Sequence, residues 1–241
     1  MPSTTIPLIT RVQPLKPRGL NVLVHVDVGE PFEIMLEALE RHRLGVGDAL
    51  PAARRHHLLN DDADIRVRDA ALNLISYRAR TRAELRRRLR QKGFRPARID
   101  PCLDRLQEKG FVDDGAVAAA FVRDRLRHRP RGRVALASEL RAKGVAGELA
   151  NRAIEEVFED EETDDVDLAR EVAERWVNRQ PVSLLRALVS DGHDAERAKA
   201  KAKRRLVGYL NRRGFRGAAM SAGIDRAVEC ALERNGDPRR R

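Results

Sequence analysis

The sequence of 241 residues is poor in cysteine and in aromatic residues. Its two cysteines, Cys102 and Cys230, stand far apart without metal-type spacing, so we interpret them as free thiols of a reducing compartment. With 4% aromatic residues, the core must consist mainly of Leu, Val, Ile and Ala, which favours packed helices over β-sandwiches. No stretch approaches the roughly 20 apolar residues of a membrane span. No signal-peptide pattern is present either, and we predict a cytoplasmic protein.

Charge is abundant, but its two signs are unequal. The chain carries 48 Lys and Arg against 37 Asp and Glu, a formal net charge of +11. This excess favours polyanionic partners such as nucleic acid or acidic protein surfaces. Lysine contributes only seven of the 48 cations. Abundant Arg and Ala also fit a GC-rich genome, so coding bias is an alternative source for part of the basicity.

Residues 8–35 differ in pattern from the rest of the chain. They contain β-branched runs with partial alternation, separated by prolines and a glycine. This pattern predicts two or three short strands. Short helices follow in the sequence up to about residue 60. We therefore expect residues 1–60 to form a small head that contains strands and short helices.

From about residue 65 onward the pattern is helical, and one helix ending occurs three times. It is centred on Gly93, Gly144 and Gly214, with a cation directly before each glycine. Leucines lie eight and four residues before each glycine, namely Leu85 and Leu89, Leu136 and Leu140, Leu206 and Leu210. Such a leucine pair makes one buried stripe, while the glycine supplies a left-handed cap near a favourably placed cation. Each copy therefore predicts a helix, a glycine turn and a second helix.

Another amphipathic helix precedes each pair, so the sequence predicts a mainly α protein of three tandem three-helix repeats behind the head. Stacked repeats of this kind form an elongated, curved array. We expect the acidic run 159–167 and the segment 179–194 to be loops. The expected divisions are the head (1–60), the repeats (61–110, 111–160 and 161–236, the last with an insertion at 179–196) and a basic tail (237–241).

Four motifs in this order resemble the RecX family of bacterial proteins. They are the opening Arg80 to Leu85, the step Lys109 to Asp114, the stretch Glu139 to Val145 and the turn Arg212 to Phe215. The resemblance covers about residues 65–232; the long segment 179–194, the acidic run and the arginine tail depart from it. It implies a non-enzymatic regulator, without catalytic residues or cofactor, that binds RecA polymerised on single-stranded DNA. Such a regulator restrains ATP hydrolysis and strand exchange, and so modulates recombination, DNA repair and the SOS response.

The basic residues are clustered along the predicted helices. Between residues 78 and 98 there are ten cations and one acid. Because solvated helix faces usually mix both signs, we interpret the clusters as contact surfaces for a filament or nucleic acid. The alternative is ordinary solvated faces enriched in arginine by codon usage. The contact candidates are Arg82, Arg86, Arg87 and Arg90 in the first repeat, Arg131, Arg133 and Arg141 in the second, and Lys203, Arg204, Arg212 and Arg213 in the third.

A direct DNA-binding protein that acts as a transcriptional repressor is the alternative function, since short helices with basic outer faces can enter the major groove. Other chemistries have little support. The six histidines form no His-x-x-x-His pair, and no phosphate-binding Gly-x-x-x-x-Gly-Lys motif occurs. We expect no metal, no cofactor, no membrane contact and no catalysis. The expected protein is a monomer whose main partner is the RecA filament, with weaker direct binding to DNA.

Overall fold

The computed structural model describes residues 6–17, 19–190 and 195–236. The predicted basic tail, 237–241, lies outside the described residues. Within the described part the chain divides between Val112 and Asp113 into two compact units. The first unit holds the head and the first repeat, and the second holds the remaining repeats. The first unit contains two hydrophobic cores and the second contains one.

The head is a three-stranded antiparallel sheet followed by a short helix. Its strands are β1 (Ile9–Pro14), β2 (Asn21–Val26) and β3 (Phe32–Met35), ordered β1-β2-β3. Helix α1 (Leu36–Arg41) follows directly on β3. Val22 and Val24 alternate with more exposed residues along β2 and are buried, which is the period-two pattern of a strand with one core face. The predicted strands of the head are confirmed.

Helix α2 (Ala52–Tyr77) is the longest helix of the described chain and serves two cores. Leu58 and Ile65 belong to the core of the head, whereas Val67 and Ala71 belong to the core of the first repeat. The short helix predicted before residue 60 and the helix predicted from Ile65 are therefore one continuous helix, which begins at Ala52. The buried Asp62 fixes its position, because its carboxylate accepts a 2.6 Å hydrogen bond from the amide of Met35.

The first repeat is completed by α3 (Arg82–Gln91) and α4 (Pro96–Glu108). Thr81 is the N-cap of α3, and its hydroxyl accepts a 3.1 Å hydrogen bond from the amide of Glu84. This satisfies one of the unpaired amides of the first turn. Leu85 and Leu89 are fully buried, as their spacing predicts. Consequently the opposite side of α3 lies in solvent.

The second unit contains seven helices within its described residues, α5 (Asp114–His128), α6 (Arg133–Ala142), α7 (Gly147–Asp160), α8 (Asp165–Val177), α9 (Val182–Val189), α10 (Glu196–Arg212) and α11 (Gly217–Gly236). Helices α5 to α7 form the second repeat, and α8 with α10 and α11 form the third. Leu136, Leu140, Leu206 and Leu210 are all fully buried in one core. The fold is therefore mainly helical, with tandem three-helix units behind a small sheet.

Two segments expected as loops are mostly helical. In the acidic run, α7 continues to Asp160 and α8 begins at Asp165. One acid of this run caps α8. The Asp164 carboxylate accepts a 2.8 Å hydrogen bond from the amide of Asp167 at the N-terminus of that helix. The insertion contains the eight-residue α9, whose Leu185 and Leu188 are buried in the core of the unit. Residues 191–194 of the insertion lie outside the described residues.

The three repeated glycines end their helices in the predicted way. Gly93, Gly144 and Gly214 have φ angles of 91°, 82° and 89°, in the left-handed region. The residue after each glycine donates its amide to the carbonyl of the leucine five positions earlier, at 3.1 to 3.2 Å. This is the hydrogen bond of a Schellman cap. The shared sequence signal therefore corresponds to one shared backbone structure.

Candidate functional site

An exposed arginine surface lies on α3 in the first unit. Because Leu85 and Leu89 face the core, Arg86, Arg87 and Arg90 lie on the outer side of the helix. We call these three residues the α3 arginine face. They line an open cleft of about 540 Å³ with Ala83 and Gln91.

The three arginines of this face differ in their partners. Arg86 pairs with Asp100 of α4 at 2.9 Å. Arg87 and Arg90 have no acidic partner among the residues that the structure describes. An unpaired exposed guanidinium is fully available to an anionic partner, whereas a paired one must first give up its carboxylate. Arg87 and Arg90 are therefore the most available cations of the face.

Arg82 is not part of this face. Its side chain is 30% exposed and pairs with Asp104 of α4 at 2.8 Å. A second contact of 3.5 Å reaches the amide oxygen of Gln107. These contacts join α3 to α4, so we assign Arg82 a role within the repeat.

The candidates of the second repeat also separate into paired and unpaired residues. The Nε atom of Arg131 lies 2.8 Å from a Glu139 carboxylate oxygen. The Nε atom of Arg133 lies 3.0 Å from Glu155, and its guanidinium stacks 4.0 Å above the ring of Phe158. Arg141 is exposed and has no acidic partner in the described chain. Only Arg141 of the three is therefore free to contact another molecule without breaking an internal ion pair.

Three of the four candidates in the third repeat are exposed. Lys203, Arg204 and Arg212 lie along α10, and none has an acidic partner within the described ranges. Arg213 is half-buried: its guanidinium donates a 3.0 Å hydrogen bond to the carbonyl of Pro130 and lies 4.7 Å above the ring of Tyr209. The exposed stretch of α10 therefore resembles the α3 arginine face in its available charge.

The structure thus divides the candidates by availability. Six cations are exposed without a carboxylate partner among the described residues, namely Arg87, Arg90, Arg141, Lys203, Arg204 and Arg212. The other five make ion pairs, a ring contact or backbone contacts inside their own unit. Contact with a partner stays a prediction for all of them.

One group of arginines was not recognised from the sequence as a single site, although two of its members, Arg131 and Arg213, are contact candidates. A cavity of about 360 Å³ in the second unit is lined by nine residues, His128, Arg129, Pro130, Arg131, Val172, Arg175, Arg179, Tyr209 and Arg213. We call it the arginine cavity. It lies where α5, α8 and α10 end, and its arginines are at or just beyond these helix ends. The sequence does show cations that recur at helix ends. It does not show that the ends of α5, α8 and α10 lie next to one another, which depends on the packing of the unit.

The cysteines offer no reactive nucleophile. Both Cys102 and Cys230 are buried free thiols. Burial raises the pKa of each thiol above its ordinary value. The thiolate is the nucleophilic form of cysteine, and a raised pKa reduces its population near neutral pH. Among the described residues, no cluster of three His, Cys, Asp or Glu side chains is placed to hold a metal ion. No described helix has the length and apolarity that crossing a membrane requires.

Glycine-capped three-helix units whose outer surfaces carry exposed arginines define a helical-repeat protein. Two sequence models match the chain, described as the first and second three-helix domains of RecX, over residues 68–106 and 113–154. Regulatory protein RecX of Halorhodospira halophila is 39% identical over 164 residues, which are 66% of this chain and 89% of that protein. The chain belongs to the RecX family of regulatory proteins.

Further relatives agree with this assignment. Regulatory protein RecX of Mycobacterium sp. (strain JLS) is 38% identical over 68% of this chain and 81% of its own length. A crystal structure of regulatory protein RecX superposes with a TM-score of 0.66 at 19% identity, covering 91% of this chain and 99% of that one. RecX from Lactobacillus salivarius gives 0.54 at 21% identity, covering 69% and 97%. At these identities the structures show a shared fold, and the resemblance found in the sequence is confirmed.

Proposed function

We propose that this chain is a negative regulator of RecA. It binds RecA polymerised on single-stranded DNA and restrains the ATPase and strand-exchange activities of that filament, which modulates recombinational DNA repair. It acts without catalysis of its own, as a cytoplasmic monomer. Membership of a family of regulatory proteins supports the class. The observation that carries the proposal is the set of exposed cations without acidic partners on both units.

The surfaces suit a partner that offers many anionic groups in a row. One exposed ion pair contributes roughly 0–1 kcal/mol, so a single arginine cannot hold the protein on a filament. The α3 arginine face lies in the first unit, while Arg141 and the exposed cations of α10 lie in the second. Once one unit has bound the filament, the linked second unit is held near it at a high effective concentration. The affinity of the whole chain therefore exceeds that of either unit alone.

The class of activity is tested by adding the purified protein to RecA on single-stranded DNA at substoichiometric ratios. ATP hydrolysis and DNA strand exchange are measured in parallel. We expect both activities to be suppressed, because a protein bound along the filament alters the ATP hydrolysis cycle of many RecA subunits. Unchanged rates at equimolar protein would contradict the proposal. A preference for one duplex sequence at physiological salt, with no effect on RecA, would instead favour the DNA-binding repressor.

The surface is tested by the charge reversal R87E/R90E on the α3 arginine face. We expect filament affinity to fall at least tenfold, since two attractive contacts become repulsive. The matched control is R152E/R186E, which changes the net charge equally at two exposed arginines without acidic partners in the described chain. The control should change affinity less than twofold. Equal losses in both variants would show that net charge, and not this face, determines binding.

A further inference from the structure

The arginine cavity of the second unit is formed by three helix ends. Helix α5 ends at His128, α8 at Val177 and α10 at Arg212. The chain just beyond α5 supplies Arg129 and Arg131, whereas the ends of α8 and α10 supply the other three arginines, Arg175, Arg179 and Arg213. A helix C-terminus carries a partial negative charge, so some of these cations stabilise the helices themselves. Five arginines supply more positive charge than three helix C-termini require.

The carboxylates near these arginines are few. Arg131 pairs with Glu139, but Glu139 also binds Arg125 at 2.9 Å. Arg175 pairs with Glu171, one turn earlier on α8. The other three arginines of the cavity, Arg129, Arg179 and Arg213, have no acidic partner within the described ranges. No acid is among the nine lining residues.

The positive charge of the cavity therefore exceeds the negative charge around it. Three helix C-termini contribute about half an elementary charge each, or about −1.5 together. Glu171 adds one full charge, and Glu139 adds only a share of one because Arg125 competes for it. Five guanidiniums outweigh this total. A concave surface with such an excess concentrates small anions from solution.

The guanidinium group also determines which anion fits. Its planar fork binds phosphate oxygens through two parallel hydrogen bonds, and several forks around one volume suit an anion with many oxygens. The cavity volume of about 360 Å³ lies within the range of small-molecule sites. It equals roughly a dozen water molecules, more than one isolated phosphate requires. The phosphates of a nucleic-acid strand, by contrast, are spaced along an extended backbone and call for an open groove.

We propose that the arginine cavity binds two adjacent phosphates, the pyrophosphate group of a nucleoside diphosphate or triphosphate. Arg129 and Arg179 supply the available forks, while Arg175 lines the same cavity but is paired with Glu171. Arg213 stacks above the ring of Tyr209 and donates a hydrogen bond to the carbonyl of Pro130. These contacts fix its side chain in the wall of the cavity. The site is separate from the α3 arginine face and does not depend on the proposed action on RecA.

The test is titration of the full-length protein with inorganic pyrophosphate and with ADP. Binding is measured by calorimetry and by the fluorescence of Trp176. This residue is the only tryptophan of the sequence, and its ring lies 6.3 Å from that of Tyr209 in the cavity wall. We expect saturable binding of both probes and a change in tryptophan emission. The variant R129Q/R179Q, which removes two unpaired arginines of the lining, should bind pyrophosphate at least tenfold more weakly.

The matched control is R152Q/R186Q, which removes the same charge from exposed positions elsewhere in the second unit and should change pyrophosphate binding less than twofold. Circular dichroism melting verifies that both variants are folded. Equal weakening in both variants overturns the proposal, as does an absence of saturable pyrophosphate binding. A single-stranded oligonucleotide is titrated as well. If it binds and R129Q/R179Q removes that binding while pyrophosphate does not bind, the cavity is a strand-backbone site and the proposal is wrong.

Discussion

At the scale of single residues, two of the three repeated glycines share a backbone conformation but have different surroundings. A methyl group added to Gly93 would meet no atom within 4 Å. The same group on Gly214 would lie 2.5 Å from the amide nitrogen of Ala135. The amide of Gly132, next to α6, donates a 2.9 Å hydrogen bond to the carbonyl of Arg213. Gly214 is therefore required both for its left-handed φ and for the close approach of two repeats within the second unit.

This difference predicts unequal costs for one substitution. Gly93→Ala should lower the free energy of unfolding by about 1–2 kcal/mol, which is the cost of the left-handed conformation for a residue with a Cβ atom. Gly214→Ala should cost about 3 kcal/mol or more, because overlap with Ala135 is added. Gly93 lies in the first unit and Gly214 in the second, so urea unfolding is followed by circular dichroism, which reports on the helices of both units. Equal costs would show that α6 moves away without penalty.

At the scale of elements, α9 shows what the repeat pattern did not predict. The glycine alignment predicted the repeated helix pairs because each copy carries the same leucine and glycine spacing. Helix α9 belongs to no copy and has only eight residues, fewer than are needed for a clear helical period. A separate short helix was predicted before residue 60, but its continuation into the next helix was not, since the first six residues of α2 bring no buried side chain that would extend the apolar stripe. Leu185 and Leu188 pack into the core, so α9 is helical through tertiary packing.

Because α9 packs into the core of the second unit, shortening one of its buried side chains should destabilise the fold. Leu185→Ala should lower the free energy of unfolding by about 2–5 kcal/mol, the range for deleting a fully buried leucine side chain. Val182→Ala, at an exposed position of the same helix, should change it by less than about 0.5 kcal/mol. Chemical denaturation of both variants provides the measurement. A small effect of Leu185→Ala would mean that the insertion is the loop expected from the sequence.

At the scale of the whole molecule, the basic clusters were predictable but their availability was not. Arginine counts identified all the candidate helices. Which arginines are free depends on acids from other elements, such as Asp104 for Arg82 and Glu155 for Arg133. These partners lie about twenty residues away in sequence, beyond the reach of helical periodicity. The arginine cavity required three helix ends from two repeats, and only the packed unit brings them together.

Binding that depends on exposed arginines must weaken with salt. We expect affinity for the RecA filament to fall at least tenfold between about 50 and about 200 mM monovalent salt, because each contact releases screening counterions. R87E/R90E should give a shallower dependence than the unchanged chain, since it makes fewer ionic contacts. Fluorescence anisotropy at several salt concentrations measures both slopes. A salt-independent affinity would exclude these surfaces as the main contact.

The double role of α2 restricts how the architecture can be rearranged. Leu58 and Ile65 pack into the sheet-containing head, and Val67 and Ala71 pack into the first repeat, all on one uninterrupted helix. Exchange of the head for an unrelated module, with a join at residue 60, would cut that helix and leave half of a hydrophobic face on each side. Gene fusion or modular recombination at this position is therefore disfavoured. The boundary between Val112 and Asp113 separates the two units and lies between two helices. It is therefore the more tolerant position for such a join.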